Sequence, residues 1–189
     1  RPDDLRALAG PQVRYAPLAE LCPEAFSLLD LRKDLGLRSC FNTVLRMWNP
    51  AQAPATVQGV FHPSYRSLQA QAAEILGQKT LSIIKGGGGE FERYPSKDII
   101  CFGLRKGQHI QEKAPAILSQ TRRLHEEGTR IDPMALWQGT LRDPFAEATV
   151  TGTAALALWT LDPNLTLNAA QAQANALWLD RTIDEGIYA

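Results

Sequence analysis

Phe26, Leu29 and Leu35 form a periodic apolar set through CPEAFSLLDLRKDLG. Pro23 near the start and Gly36 just past the last periodic residue mark the two ends of a helix. LRSCFNTVLRMWNP repeats the spacing with Phe41, Val44, Leu45 and Trp48, and predicts a second helix closed by Asn49-Pro50. The pattern then changes. ATVQGVF (55–61) is short and β-branched and predicts a strand. HPSY (62–65) predicts a strand-to-helix turn with Ser64 as cap, leading into SYRSLQAQAAEILGQ, a helix ending near Gly77. TLSII (80–84) and KDIICFGL (97–104) predict two further strands. Residues 107–128 mix strand-like and helical stretches around Pro115 and point to no single element. AEATVTGTAALALWTL (146–161) is apolar almost all round, the mark of a buried helix. LNAAQAQANALWLDRTID (167–184) predicts an amphipathic, alanine-rich helix with Leu177 and Trp178 available for packing. Strands alternating with helices predict an α/β domain with a mostly parallel sheet flanked by helices.

Composition narrows the class. A chain of 189 residues fills one core better than two, so residues 1–189 are expected to form a single domain. With 44% hydrophobic and 21% charged residues it reads as a soluble globular protein. No run approaches the roughly 18 apolar residues of a membrane span. RPDDLRALAG lacks the apolar stretch of a signal peptide, and Cys22, Cys40 and Cys101 form neither a disulfide framework nor a CxxC site. A cytoplasmic location without membrane contact is the expectation. The net charge of zero hides an asymmetry: residues 1–130 carry 18 basic and 13 acidic side chains, residues 131–189 carry 2 and 7. A basic portion can attract phosphates or nucleic acid, and equally its charges can solvate different faces.

The most unusual stretch is KGGGGEFERYP (85–95). Four consecutive glycines weaken a regular element and belong where the chain turns or a ligand approaches the backbone closely. They follow TLSII directly, and in open α/β sheets ligands bind beyond the carboxyl ends of strands. Gly86, Gly87, Gly88 and Gly89 are therefore candidate ligand-binding positions, with Glu90 and Glu92 as oxygen ligands for a hard cation. The run is neither GxxxxGK[ST] nor GxGxxG, since Lys85 precedes the glycines. His62, His109 and His125 are isolated, and no HExxH or GxSxG occurs. Metalloprotease and serine-hydrolase chemistries have no support.

DLRKDLGLRSCFNTVLRMWNPA, VQGVFHPSYRSL, LSIIKGGGGEFE and TGTAALAL, in that order, resemble the later part of anthranilate phosphoribosyltransferases. The resemblance runs from about Tyr15 to Arg181, and LGxR-x-x-FN…NP is its most specific block. It implies the catalytic-domain fold shared with nucleoside phosphorylases, incomplete at the N-terminus. The family's helical domain, donor loop and Lys-His segment have no counterpart here. It also implies transfer of phosphoribose from a sugar diphosphate to an amine or base, with a phosphorylated sugar or nucleotide-like ligand. The full-length protein would be a homodimer through the absent helical domain, and the fragment alone inactive. Arg32 matches the arginine that contacts the acceptor's carboxylate, a task suited to a planar guanidinium fork.

Two departures mark a divergent branch. Glu92 matches the glutamate of the family's Asp-Glu metal motif, but Phe91 stands at the aspartate position. The implied Mg2+ site, with Glu92 and Glu90, is weakened accordingly. A Leu-Gly-Pro-Leu turn has become Leu45-Arg46-Met47-Trp48. The second reading is a non-catalytic, sequence-independent binder of single-stranded nucleic acid. Its candidates are Lys85, Arg93, Lys97, Arg105, Lys106, Arg122 and Arg123, with Tyr94 available to stack. Glu90, Glu92, Asp98, Glu112, Glu126 and Glu127 dilute that set.

Overall fold

A computed structural model of the chain describes residues 15–37, 39–122 and 131–181. Contacts divide the chain between Pro54 and Ala55 into two compact units.

The first unit is helical. A single turn, α1 (Leu18–Leu21), precedes α2 (Pro23–Leu35), which begins on Pro23 and ends on Gly36 at φ 69°. Only glycine takes that left-handed cap without strain. The predicted second helix is short: α3 (Phe41–Val44) passes into a 3-10 turn, Leu45–Met47. Beyond that turn the Asn49 side-chain amide bonds the backbone N–H and carbonyl of Ala53, both at 2.9 Å, and holds the loop that follows.

The second unit is an α/β layer structure. Strands β1 (Thr56–Val60), β2 (Leu81–Lys85), β3 (Ile99–Arg105) and β4 (Gln108–Ala114) form one sheet in the order β1-β2-β3-β4. The α/β class is as expected, whereas the sheet is mixed and not mostly parallel: β1 and β2 are parallel, and both later pairings are antiparallel. The β3–β4 pairing comes from the stretch from 107 that the sequence left unassigned. Lys106 and Gly107 both have positive φ (52° and 78°), the geometry of a two-residue hairpin turn. Arg105 therefore faces Gln108, and β4 runs back along β3.

Helix α4 (Tyr65–Ile75) connects β1 to β2 and covers one face of the sheet. Ser64 occupies the cap position but its side chain makes no capping bond. Helix α5 (Pro133–Gln138), which the pattern did not reveal, is followed by α6 (Pro144–Leu161) and α7 (Leu167–Leu179). Asp132-Pro133 and Asp143-Pro144 start α5 and α6, each aspartate accepting a backbone N–H from the first turn. Ile84 and Cys101 of the sheet pack on Ala155, Leu156 and Trp159 of α6 and on Ala170 and Ala174 of α7. Small residues let the helices approach closely, and Thr160 meets Ser82 of β2 across the layer at 2.6 Å. Trp178 is buried as expected, but Leu177 faces outward at 57% exposure. No helix among the described residues is long and apolar enough to cross a membrane.

Candidate functional site

The glycine run leaves the carboxyl end of β2. The Gly86 N–H donates to the Val60 carbonyl at 3.1 Å, which extends the parallel pairing by one step. The chain then folds back, and the backbone of Glu90 crosses the ends of both strands. A Cβ on Gly59 would lie 2.0 Å from the Glu90 carbonyl carbon, and one on Gly86 would lie 1.9 Å from its carbonyl oxygen. No real side chain tolerates such distances. Gly86 thus serves the close approach of the loop's own backbone. Gly89 is buried as well, whereas Gly87 and Gly88 are exposed.

Beside this crossing lies a pocket of about 300 Å³. Lys85, at the last position of β2, and Arg66, one residue into α4, line it from the sheet and the helix. Gly87, Glu92, Tyr94, Lys97 and Asp98 line it from the loop, and Ile99 and Ile100 form its floor. Arg66 is fixed by donating to the carbonyls of Pro63 and Ile100, both at 3.1 Å, with its guanidinium 4.5 Å from the centre of the Phe102 ring. Burial pulls its pKa down from the usual arginine value, and the nearby Cys101 opposes that shift. Asp98 is bound to Lys113 at 2.6 Å and accepts the Ala116 N–H at 2.9 Å. The bond to Lys113 holds its carboxyl below the usual carboxylate range.

Of the expected site residues, Lys85, Lys97, Gly87 and Glu92 come together in this pocket. Sequence reasoning passed over Arg66. Its signal was its place in the helix opened by HPSYR, directly after the first strand.

The two glutamates diverge. Glu92 lines the pocket, while the Glu90 carboxylate lies back over Gly88 and does not. Phe91, at the family's aspartate position, packs against the core cluster between sheet and helices. Among the described residues no group of three or more His, Cys, Asp or Glu is placed to hold a metal ion.

The arginines proposed for nucleic acid are engaged inside the fold. Arg93 is only 4% exposed. Its guanidinium donates to the Pro115 carbonyl at 2.5 Å and to Gln171 of α7 at 3.3 Å, and burial lowers its pKa. Gly152 of α6 makes room for it: a Cβ there would meet the Arg93 side chain at 3.0 Å and Ile117 at 2.6 Å. Arg105 lies 4.1 Å from the centre of the Trp159 ring and donates to the carbonyls of Trp159 in the last turn of α6 and of Asp162 and Leu165 just beyond it. Arg122 forms a two-pronged pair with Asp143 at 2.7 and 3.1 Å. Tyr94 gives its hydroxyl proton to the Arg122 carbonyl, sets its ring edge-on to Phe145, and carries Lys97 over its face at 5.2 Å. Lys106 donates to Asn164 at 2.9 Å. Arg123 lies outside the described residues. Arg32 is exposed in the last turn of α2, in the first unit.

A scan of protein-family models finds no match. An uncharacterized protein of Aquifex aeolicus is 30% identical over 126 residues, 66% of this chain and 40% of that protein. An anthranilate phosphoribosyltransferase of Leptothrix cholodnii is 37% identical over 78 residues, 41% of this chain and 23% of the enzyme. One from Xanthomonas oryzae pv. oryzae is 31% identical over 105 residues, 56% of this chain and 30% of the enzyme. The chain is thus a distant relative of the anthranilate phosphoribosyltransferases. The matched part spans less than half the length of these relatives.

Proposed function

We propose that this chain is the later part of a phosphoribosyltransferase-like protein whose pocket beside the glycine loop takes a phosphate-bearing pentose. The observation that carries this reading is the position and charge of the pocket. Two exposed lysines, Lys85 and Lys97, line it beyond the carboxyl end of a strand of the parallel pair, with the Arg66 guanidinium, itself bonded to the Pro63 and Ile100 carbonyls, beside them. That is where open α/β sheets bind ligands, and lysine and arginine are the side chains that neutralise phosphate. In phosphoribosyl transfer, negative charge grows on the departing diphosphate as the bond at the anomeric carbon breaks. Preorganised cations at that place lower the barrier.

Magnesium, which the family resemblance implies, fits these residues poorly. Phe91 is packed inward and Glu90 lies over Gly88, so the loop brings one glutamate, Glu92, to the pocket.

The nucleic-acid reading retains less. Arg93, Arg105 and Arg122 hold carbonyls, a carboxylate and aromatic rings of the fold, which leaves Lys85, Lys97 and Lys106 as exposed candidates. Calorimetry with phosphoribosyl diphosphate and, separately, a single-stranded oligonucleotide at two salt concentrations decides between them. Heat from the sugar diphosphate supports the transferase-like reading. Oligonucleotide binding that collapses at high salt, with no response to the sugar diphosphate, overturns it.

A further inference from the structure

We infer that the pocket beside the glycine loop holds a polyphosphate directly on Lys85, Lys97 and Arg66, without a divalent cation. This rests on the phosphate-ligand reading above and adds to it how the charge is met.

The electrostatics of the lining carry the inference. Two carboxylates and three cationic side chains border the pocket. Asp98 is already tied to Lys113 at 2.6 Å, outside the lining, and its other oxygen accepts the Ala116 N–H. Glu92 is the other carboxylate of the lining, and it too is engaged. Lys85 and Lys97 enter no ion pair among the described residues, and Lys97 rests on the Tyr94 ring face. A magnesium ion wants near-octahedral oxygen ligation at about 2.0–2.1 Å and usually one or two carboxylates besides phosphate and water. Here it would meet one glutamate and the repulsion of three positive groups. An anion meets the reverse: the cations attract it and Glu92 opposes it.

The two modes predict opposite effects of the same substitution. If a metal bridges protein and phosphate, Glu92→Gln removes its carboxylate and weakens binding. If the cations bind phosphate directly, Glu92→Gln removes a like charge and tightens binding, by about fivefold for a partly screened charge a few ångströms away.

The test is calorimetric titration of inorganic pyrophosphate into the protein in EDTA and again in millimolar magnesium. The variants are Glu92→Gln, the double variant Lys85→Ala/Lys97→Ala, and Lys79→Ala as a surface control beside the hairpin turn of β3 and β4. Circular dichroism confirms that each is folded. Expected are binding in EDTA that magnesium weakens by competing for the pyrophosphate, tightening in Glu92→Gln, and no change in Lys79→Ala. The double lysine variant should lose about tenfold or more, since each charge-assisted contact contributes more than a neutral one. Binding seen only with magnesium and lost in Glu92→Gln overturns this inference and leaves the phosphate-ligand reading standing. Binding unaffected by loss of both lysines overturns it too, by locating the anion elsewhere. No binding by folded protein in either buffer overturns both.

Discussion

A side chain on Gly59 would have to occupy the backbone of Glu90, since its Cβ would lie 2.0 Å from that residue's carbonyl carbon. The end of β1 and the glycine loop are therefore one packed unit. Glu92, Lys97 and Asp98 of the pocket lie on the same loop, beyond Glu90. Gly59→Ala is expected to cost about 1–3 kcal/mol, the usual penalty of overpacking. It should weaken pyrophosphate binding as well, because the loop must lift. Urea denaturation and the titration above measure both, and wild-type stability would mean that the loop yields freely.

Arg93 is a structural arginine, 4% exposed, joining the loop to Pro115 and Gln171. Arg93→Met keeps the bulk but leaves both acceptors without their donor, at an expected cost of about 2–3 kcal/mol. Arg93→Lys should recover only part, because one nitrogen cannot reach both partners. Neither should alter the salt dependence of anion or oligonucleotide binding by the folded protein. A shallower salt dependence in either variant would mean that Arg93 meets ligand.

Asp143 caps α6 through the Ala146 N–H at 2.8 Å and pairs with Arg122 at 2.7 Å. The bond to Arg122, with help from backbone N–H groups, holds its carboxyl below the ordinary value. Its contribution to stability is therefore complete above the unfolded-state pKa of about 3.9, and lost as pH falls through the lower folded value. Asp143→Asn keeps a capping oxygen and removes the ion pair. Its deficit against wild type should be full at pH 7 and shrink in acid. Asp143→Ala should cost about 1 kcal/mol more, for the cap. Thermal melts from pH 7 to pH 3 test this, and a deficit independent of pH would exclude the ion pair as its source.

Arg105 lies over Trp159 at 4.1 Å and bonds three carbonyls in and just beyond the last turn of α6. Arg105→Ala should destabilise by about 1–2 kcal/mol, from the lost cation–π contact and the carbonyls left without their donor. In a double-mutant cycle with Trp159→Phe, a coupling of about 0.5–1 kcal/mol is expected, since phenylalanine holds a cation less well than tryptophan. Strictly additive losses would show that the carbonyl bonds alone account for the effect.

The sequence by itself determined the elements whose signals are local. Pro23 and Gly36 bracket α2 as read, the β-branched runs became β1 and β2, and the all-round apolar segment became the buried α6. It also located the glycine loop at the end of a strand, whereas the structure brought Lys85, Lys97 and Glu92 to one pocket. Tertiary structure decided the rest. The direction of β4 turned on two positive φ angles at Lys106 and Gly107, within a stretch whose polar, exposed positions carry no clear period. The sorting of basic residues was the larger surprise. Arg93, Arg105 and Arg122 look in the chain like a phosphate-binding set. Their partners at Gln171, Trp159 and Asp143 lie 78, 54 and 21 residues away. A guanidinium carries five N–H donors that must be satisfied once it leaves water. Whether carbonyls of the fold or a ligand satisfy them depends on which distant elements pack against it, and no local pattern of charge encodes that.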